Sequence, residues 1–218
     1  MSLLIFDLDG TLVDSKLDIA QALNATLGMM GLAPLPLEVV AAYVGNGAPV
    51  LVRKALGPEF GDADVARALE FFLTYYHEHL LDHTYLYPGV REGLDTLRQA
   101  ASVSMAVLTN KPIRSTIAIV NGLSLGEHFF RLYGGDSFPT KKPNPEGLLA
   151  LLAERGEVRE QAVMVGDSYV DVRTARNAGV RACGVSWGFQ PETFTGDPPD
   201  ILIDRMDQLT DYILKLAN

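Results

Sequence analysis

Two aspartates follow an apolar segment near the start of the chain. Leu3 to Phe6 is directly followed by Asp7 and, two residues on, by Asp9. Because side chains alternate along an extended backbone, both carboxylates should project to one side and repel unless a cation lies between them. Gly10 permits a sharp turn after the pair. The pattern favours a reaction centre that binds Mg²⁺ over the alternative, an acidic turn ending an ordinary strand.

A second apolar segment, Val103 to Leu108, ends at Thr109 and Asn110. Ligands of open parallel sheets bind beyond the carboxyl ends of the strands, so we expect this pair near Asp7. The Thr109 hydroxyl and the amides that open the next helix are suited to holding a phosphate oxygen. A simple helix cap is the alternative for such a polar pair.

A lysine pair, Lys141 and Lys142, precedes Pro143 and Pro145. The prolines stiffen the backbone and can start a helix. A rigidly held Lys142 could neutralise both a nucleophilic carboxylate and phosphoryl oxygens. Two solvated lysines ahead of a helix are the competing interpretation.

A third apolar segment, Ala162 to Val165, leads to Asp167, and Asp171 follows one helical turn later. Mg²⁺ prefers oxygen ligands and usually binds through only one or two protein carboxylates, so two carboxylates on one helical face suit it. An aspartate cap with an acid in the first helical turn is the alternative.

A glycine-rich string, Gly45, Asn46 and Gly47, precedes another helical segment. Its glycines would let backbone amides approach an anion, such as a substrate carboxylate, at a helix start. Arg53 is a candidate supporting charge one to two turns later. A glycine-rich turn between helices explains the same string equally well.

The elements that must position these residues alternate between strands and helices. Apolar runs alternate with helical patterns from Val90 onward, which predicts βαβ units around a parallel sheet. We expect an α/β, Rossmann-like parallel sheet with helices on both faces, formed by residues 1–14 and 86–218. Residues 15–85 show helical periodicity without strand rhythm and predict an inserted all-helical cap, with the aromatic run from Phe71 to Tyr76 in its core.

Net charge, cysteine content and the length of apolar runs indicate which partners and which cellular compartment suit the chain. The chain has 218 residues, 18 Lys and Arg against 27 Asp and Glu, a net charge of -9 and no basic cluster, which argues against nucleic acid. The single cysteine, Cys183, cannot form an internal disulfide and suits a reducing compartment. No secretion signal precedes the first strand, and no apolar run approaches the roughly 20 residues that span a bilayer. We expect a cytoplasmic monomer or homodimer without a membrane partner.

Four polar segments resemble, in their order and spacing, the motifs of phosphatases of the haloacid dehalogenase superfamily. They are the segments that contain Asp7 and Asp9, Thr109 and Asn110, Lys142, and Asp167 and Asp171. The resemblance extends over nearly the whole chain. An insert between the first and second motifs is similar to the family's helical-cap type. The glycine-rich string further resembles members that act on 2-phosphoglycolate. The resemblance implies that Asp7 is the nucleophile and a metal ligand, Asp9 the general acid and base, Thr109 and Asn110 the phosphate-binding residues, and Lys142 the charge-balancing lysine. It further implies that Asp167 and the main-chain carbonyl of Asp9 contact the metal and that Asp171 supports the metal from close by, either as a direct ligand or through another group.

The expected function is therefore Mg²⁺-dependent hydrolysis of a small phosphorylated metabolite through an aspartyl-phosphate. Two enzymatic alternatives on the same scaffold are a sugar-phosphate phosphatase and a phosphomutase. A non-enzymatic alternative is a receiver-type domain that stores a phosphoryl group on an aspartate. A receiver needs neither an acid two residues beyond that aspartate nor a cap, so Asp9 argues against it.

Overall fold

The computed structural model describes residues 2–100 and 102–216. In this part of the chain the strands are β1 Ser2–Phe6, β2 Val13–Asp14, β3 Tyr85–Leu86, β4 Val103–Leu108, β5 Arg131–Tyr133, β6 Ala162–Gly166, β7 Arg181–Val185 and β8 Ile201–Ile203. The α-helices are α1 Lys16–Met29, α2 Leu37–Ala41, α3 Ala48–Leu56, α4 Asp62–His79, α5 Val90–Gln99, α6 Ile113–Gly122, α7 Glu146–Arg155, α8 Tyr169–Ala178 and α9 Met206–Leu216. Among the described residues, no helix combines the length and apolar character needed to cross a membrane.

Six strands form one parallel sheet in the order β5-β4-β1-β6-β7-β8. The first strand is central, with β4 on one side and β6 on the other. All strands of this sheet point the same way. The residues that follow β1, β4 and β6 therefore meet at one edge, where open parallel sheets bind their ligands.

Helices cover both faces of the sheet, as the sequence predicts. Alternate side chains of β1 enter opposite cores: Leu4 and Phe6 pack in a cluster that includes residues of α5 and α9, whereas Leu3 and Ile5 pack in a second cluster with residues of α7 and α8. All four of these side chains are fully buried. Burial of each contributes about 1.5–3 kcal/mol relative to exposure, which anchors the strand that carries the site.

Helices α1 to α4 lie between β2 and β3, which pair with each other in an antiparallel ladder. The chain therefore enters and leaves the helical segment at neighbouring positions. The longest of these helices, α4, buries Val65, Ala68, Phe72 and Tyr76, three to four residues apart, on the face toward α1 and α3. The boundary expected at residue 85 falls inside β3, and residues 217 and 218 of the expected core lie outside the described residues.

Buried polar contacts hold the helical segment against the sheet. The Gln190 amide donates to the carbonyls of Ala41 and Val44 at 3.2 and 2.9 Å. The Asn110 amide donates to the Gly45 carbonyl at 2.9 Å. These contacts place the loop between α2 and α3 directly over the carboxyl edge of the sheet.

Candidate active site

The Asp7 carboxylate lies at the centre of this edge, directly after β1, and is 8% exposed. Its Oδ1 accepts from the Leu8 N–H at 2.7 Å and lies 3.0 Å from Lys142 Nζ. The Thr109 side chain also hydrogen-bonds to this carboxylate. Burial, together with the negative charge of Asp171, raises the pKa of Asp7 to about 6 despite the opposing effect of Lys142. Asp7 is thus a desolvated carboxylate held in a fixed orientation.

Asp9 has a separate environment. Lys111 Nζ lies 2.9 Å from both of its carboxylate oxygens, and the Ser15 hydroxyl donates to Oδ1 at 2.5 Å. Strand alternation does not continue to Asp9, because β1 ends at Phe6 and the backbone then turns. The structure thus gives the two carboxylates different ammonium partners, Lys142 for Asp7 and Lys111 for Asp9, and the expected Mg²⁺ between them stays a prediction.

A cluster of three buried carboxylates could hold a metal ion. Oxygens of Asp7, Asp167 and Asp171 all lie within 4.8 Å of one another. Burial, followed by the charges of Asp171 and Asp7, raises the pKa of Asp167 well above its usual value. Lys142 Nζ, 2.6 Å from Asp171 and 3.0 Å from Asp7, partly offsets these charges. One lysine leaves three ionised carboxylates undercompensated, and hard oxygen ligands fit Mg²⁺.

The backbone around this cluster fixes two of its members. Asp171 accepts from both the backbone and the side chain of Ser168, at 3.2 and 3.0 Å, in a capping box at the start of α8. Asp167 accepts from the Phe189 N–H at 2.6 Å. The Asp9 side chain lies outside the cluster, so the metal contact expected at Asp9 through its main-chain carbonyl stays a prediction.

Asn110 binds protein groups with its entire side chain. Its amide donates to the carbonyls of Gly45 and Lys142 at 2.9 and 3.0 Å, and its Oδ1 accepts from the Lys142 N–H at 3.0 Å. These contacts position Lys142, which is 5% exposed. The expectation that Asn110 binds phosphate together with Thr109 stays a prediction.

The glycine-rich string is only partly at the site. Gly45 and Gly47 line the central cavity, whereas Asn46 does not. Gly47 has a φ of 86°, and a Cβ there would lie 3.1 Å from the Asn110 carbonyl oxygen, so glycine is needed for this close approach. Arg53 lies elsewhere: its guanidinium donates to the Phe60 carbonyl at 2.8 Å and pairs with Asp62, away from the cavity. The structure thus does not place Arg53 as a supporting charge.

Two residues that the sequence interpretation did not assign to the site line this cavity of about 60 Å³. Lys111 Nζ donates to the Tyr76 hydroxyl at 2.6 Å and also binds Asp9. Lys111 adjoins Thr109 and Asn110 in sequence, which is a signal that could have found it. Tyr76 was expected only as a packing residue, and it does stack on Phe72 at 5.7 Å.

Comparisons with known proteins show the family of this chain. The family model for haloacid dehalogenase-like hydrolases matches residues 4–185. A phosphoglycolate phosphatase of Pseudomonas putida is 41% identical over 95% of this chain and 78% of its own length. The phosphoglycolate phosphatase of Chromobacterium violaceum is 40% identical over 95% of this chain and 94% of its own length.

The fold is also shared with solved structures. A crystal structure described as a predicted phosphoglycolate phosphatase from Haemophilus somnus 129PT has a TM-score of 0.91 and 31% sequence identity, and covers 100% of this chain and 98% of the other. The family match and this structural match both span the segments that carry the carboxylate cluster and its lysines. The chain belongs to the haloacid dehalogenase-like hydrolase family.

Proposed function

We propose that the protein is a Mg²⁺-dependent phosphomonoester hydrolase whose substrate is 2-phosphoglycolate. The observation that carries the reaction class is the buried Asp7 carboxylate, which is oriented by Thr109 and Lys142 and adjoins Asp167 and Asp171. An aspartate so placed can attack phosphorus, and its neighbours can neutralise the phosphoryl oxygens.

The reaction uses Asp7 and Asp9 in two half-reactions. An Asp7 oxygen forms a bond to phosphorus while the bond from phosphorus to the ester oxygen breaks, and Asp9 gives that leaving oxygen a proton. Asp9 then takes a proton from water as the water oxygen bonds to the phosphorus of the aspartyl-phosphate and the bond from phosphorus to the Asp7 oxygen breaks. Inorganic phosphate leaves, and both carboxyl groups return to their starting states.

Charge neutralisation and positioning supply most of the rate enhancement in this proposal, because charge in the transition state lies on the phosphoryl oxygens. Asp7, Asp167, Asp171 and the Asp9 carbonyl would hold Mg²⁺, which when bound supplies positive charge to those oxygens. Lys142 adds a fixed ammonium, and the Thr109 hydroxyl orients the attacking carboxylate. Ser168 and Phe189 keep two of the carboxylates in place.

The substrate class is supported by two independent observations. Relatives at about 40% identity are named phosphoglycolate phosphatases. The cavity beneath the helical segment is lined by both Asp7 and Lys111, so a small phosphorylated compound with a second anionic group can lie between them. A segment docked in this way also excludes water while the substrate reacts.

We also propose that residues 1–14 and 86–218 form the catalytic core and that residues 15–85 form a cap. The antiparallel pairing of β2 with β3 supports this division, because a two-stranded connection can act as a hinge between the two parts. The buried Cys183 and the acidic net charge support a cytoplasmic protein, which we expect to be a monomer or homodimer.

A panel of phosphorylated metabolites tests the proposal. We expect phosphate release in Mg²⁺ with the highest kcat/KM for 2-phosphoglycolate, and loss of release in excess chelator. Preferred turnover of a hexose phosphate would favour a sugar-phosphate phosphatase, and isomerisation without phosphate release would identify a mutase. A stable phosphoprotein without turnover would indicate the receiver alternative.

A further inference from the structure

The cavity wall on the side of the helical segment is largely apolar. Its side chains there include Ile19, Leu51, Phe72 and Leu73. Among the described residues that line the cavity, the one cationic side chain is Lys111, against three aspartates. Placing an ionised substrate group against apolar side chains without a partner is strongly unfavourable. The part of a substrate that extends away from Asp7 therefore needs Lys111 if it carries a negative charge.

Lys111 and Tyr76 form a buried pair that offers hydrogen-bond donors to an anion. The ammonium of Lys111 donates to the Tyr76 hydroxyl, so that hydroxyl acts as acceptor and keeps its own proton. The structure shows no acceptor for this proton in the part of the chain it describes, although Tyr76 is only 3% exposed. Burial raises the pKa of Tyr76 to about 12, so the phenol stays protonated at neutral pH. An unused buried donor beside a cation is typical of a binding site.

We infer that Lys111 and Tyr76 together bind the carboxylate of the substrate, an inference that rests on the proposed function. Lys111 shares its ammonium between that carboxylate and Asp9, and Tyr76 donates its hydroxyl proton. In 2-phosphoglycolate the ester oxygen lies two bonds from the carboxylate carbon. A carboxylate held at Lys111, whose ammonium is 2.9 Å from Asp9, therefore brings the leaving oxygen beside the acid that protonates it.

The glycine-rich loop is the rival position for this carboxylate. Its conformation is already explained by docking, because Gly47 packs on the Asn110 carbonyl and Gly45 accepts from the Asn110 amide. Arg53, which could have supplied its charge, is paired with Asp62. Lys111 thus provides a buried full charge, whereas the charge nearest the loop is that of the exposed Lys141, whose Nζ would lie 3.3 Å from a Cβ on Gly47.

The test compares 2-phosphoglycolate with ethyl phosphate, in which a methyl group replaces the carboxylate, in the Mg²⁺-loaded protein. The variants are Lys111→Met and Tyr76→Phe, which keeps the stacking on Phe72, with Lys215→Met as a control at an exposed lysine of α9. The quantity compared is kcat/KM for 2-phosphoglycolate divided by kcat/KM for ethyl phosphate. We expect Lys111→Met to lower this ratio on the order of 100-fold, mainly through a higher KM for 2-phosphoglycolate. Tyr76→Phe should lower that ratio on the order of 10-fold, and Lys215→Met should leave it unchanged.

A ratio that stays within about twofold of wild type in Lys111→Met overturns the inference, because the substitution then affects the turnover of both substrates equally and the carboxylate is not involved. A thermal melt checks that this variant is folded; if it is not, Tyr76→Phe decides by the same criterion. Failure of the proposed function is a separate result, since it appears as wild-type protein that does not hydrolyse 2-phosphoglycolate.

Discussion

Replacement of Lys142 by methionine should destabilise the metal-free protein by about 3–5 kcal/mol, because removal of one partner leaves buried charges uncompensated. The Lys142 side chain is 2% exposed, and its Nζ lies 3.0 Å from Asp7 and 2.6 Å from Asp171. Although burial alone would lower the pKa of Lys142, the charges of Asp171 and Asp7 raise it, so the native state holds the ammonium form. Methionine matches the lysine stem in volume and removes only the charge. Urea unfolding in chelator measures the loss, which should also lower the Tm by roughly 10 °C.

The adjacent Lys141 provides a matched control, because it is exposed whereas Lys142 is buried. Lys141→Met should change the free energy of unfolding by no more than about 0.5 kcal/mol. Saturating Mg²⁺ should recover more stability in Lys142→Met than in wild type, since binding to the native carboxylates compensates the missing charge. The reasoning is refuted if Lys142→Met lies within about 1 kcal/mol of wild type in chelator, or if Lys141→Met is equally unstable.

Three further predictions concern the carboxylates. Asp9→Asn should slow phosphorylation of the enzyme by alkyl phosphates far more than by aryl phosphates, whose leaving groups need no proton; equal losses in rapid-quench experiments would contradict the acid role. Asp167→Ala should raise the Mg²⁺ concentration for half-maximal activity at least tenfold, as a metal titration of activity would show, and an unchanged titration would exclude Asp167 as a ligand. Because the pKa of Asp7 is about 6 in the native state, against 3.8 for an aspartate in an unfolded chain, the native state binds the proton more tightly. The contribution of Asp7 to the free energy of unfolding in chelator, measured as wild type minus Asp7→Asn, should therefore fall by up to about 3 kcal/mol as pH rises from about 4 to about 7, and a difference that does not change with pH in urea titrations would contradict the assignment.

The sequence predicted the sheet because its strands carry continuous apolar runs. The apolar segment Val103 to Leu108 is a strand with the same bounds in the structure, and the alternation of strands and helices expected from Val90 onward is confirmed. The strand Arg131–Tyr133 and the pairing of β2 with β3 were not predicted, because strands of two or three residues are too short to show a period.

The site was only partly predictable, since its polar contacts join distant parts of the chain. Asp7 could be placed because a local pattern marks the end of a central strand. The pairing of Asp9 with Lys111 spans 102 residues and depends on the backbone turn after β1, which strand alternation does not describe. Arg53 was assigned from its distance along a helix, but the nearby Asp62 and the Phe60 carbonyl determine where its guanidinium lies.

The most direct test of the central claim is to locate the phosphoryl group during turnover. The protein is mixed with 2-phosphoglycolate and Mg²⁺, quenched in acid within milliseconds, digested and analysed by mass spectrometry. The account predicts one phosphoryl group on Asp7, which forms and decays at rates compatible with kcat and is absent in Asp7→Asn. A phosphoryl group on another residue, or turnover by Asp7→Asn at the wild-type rate, would contradict it.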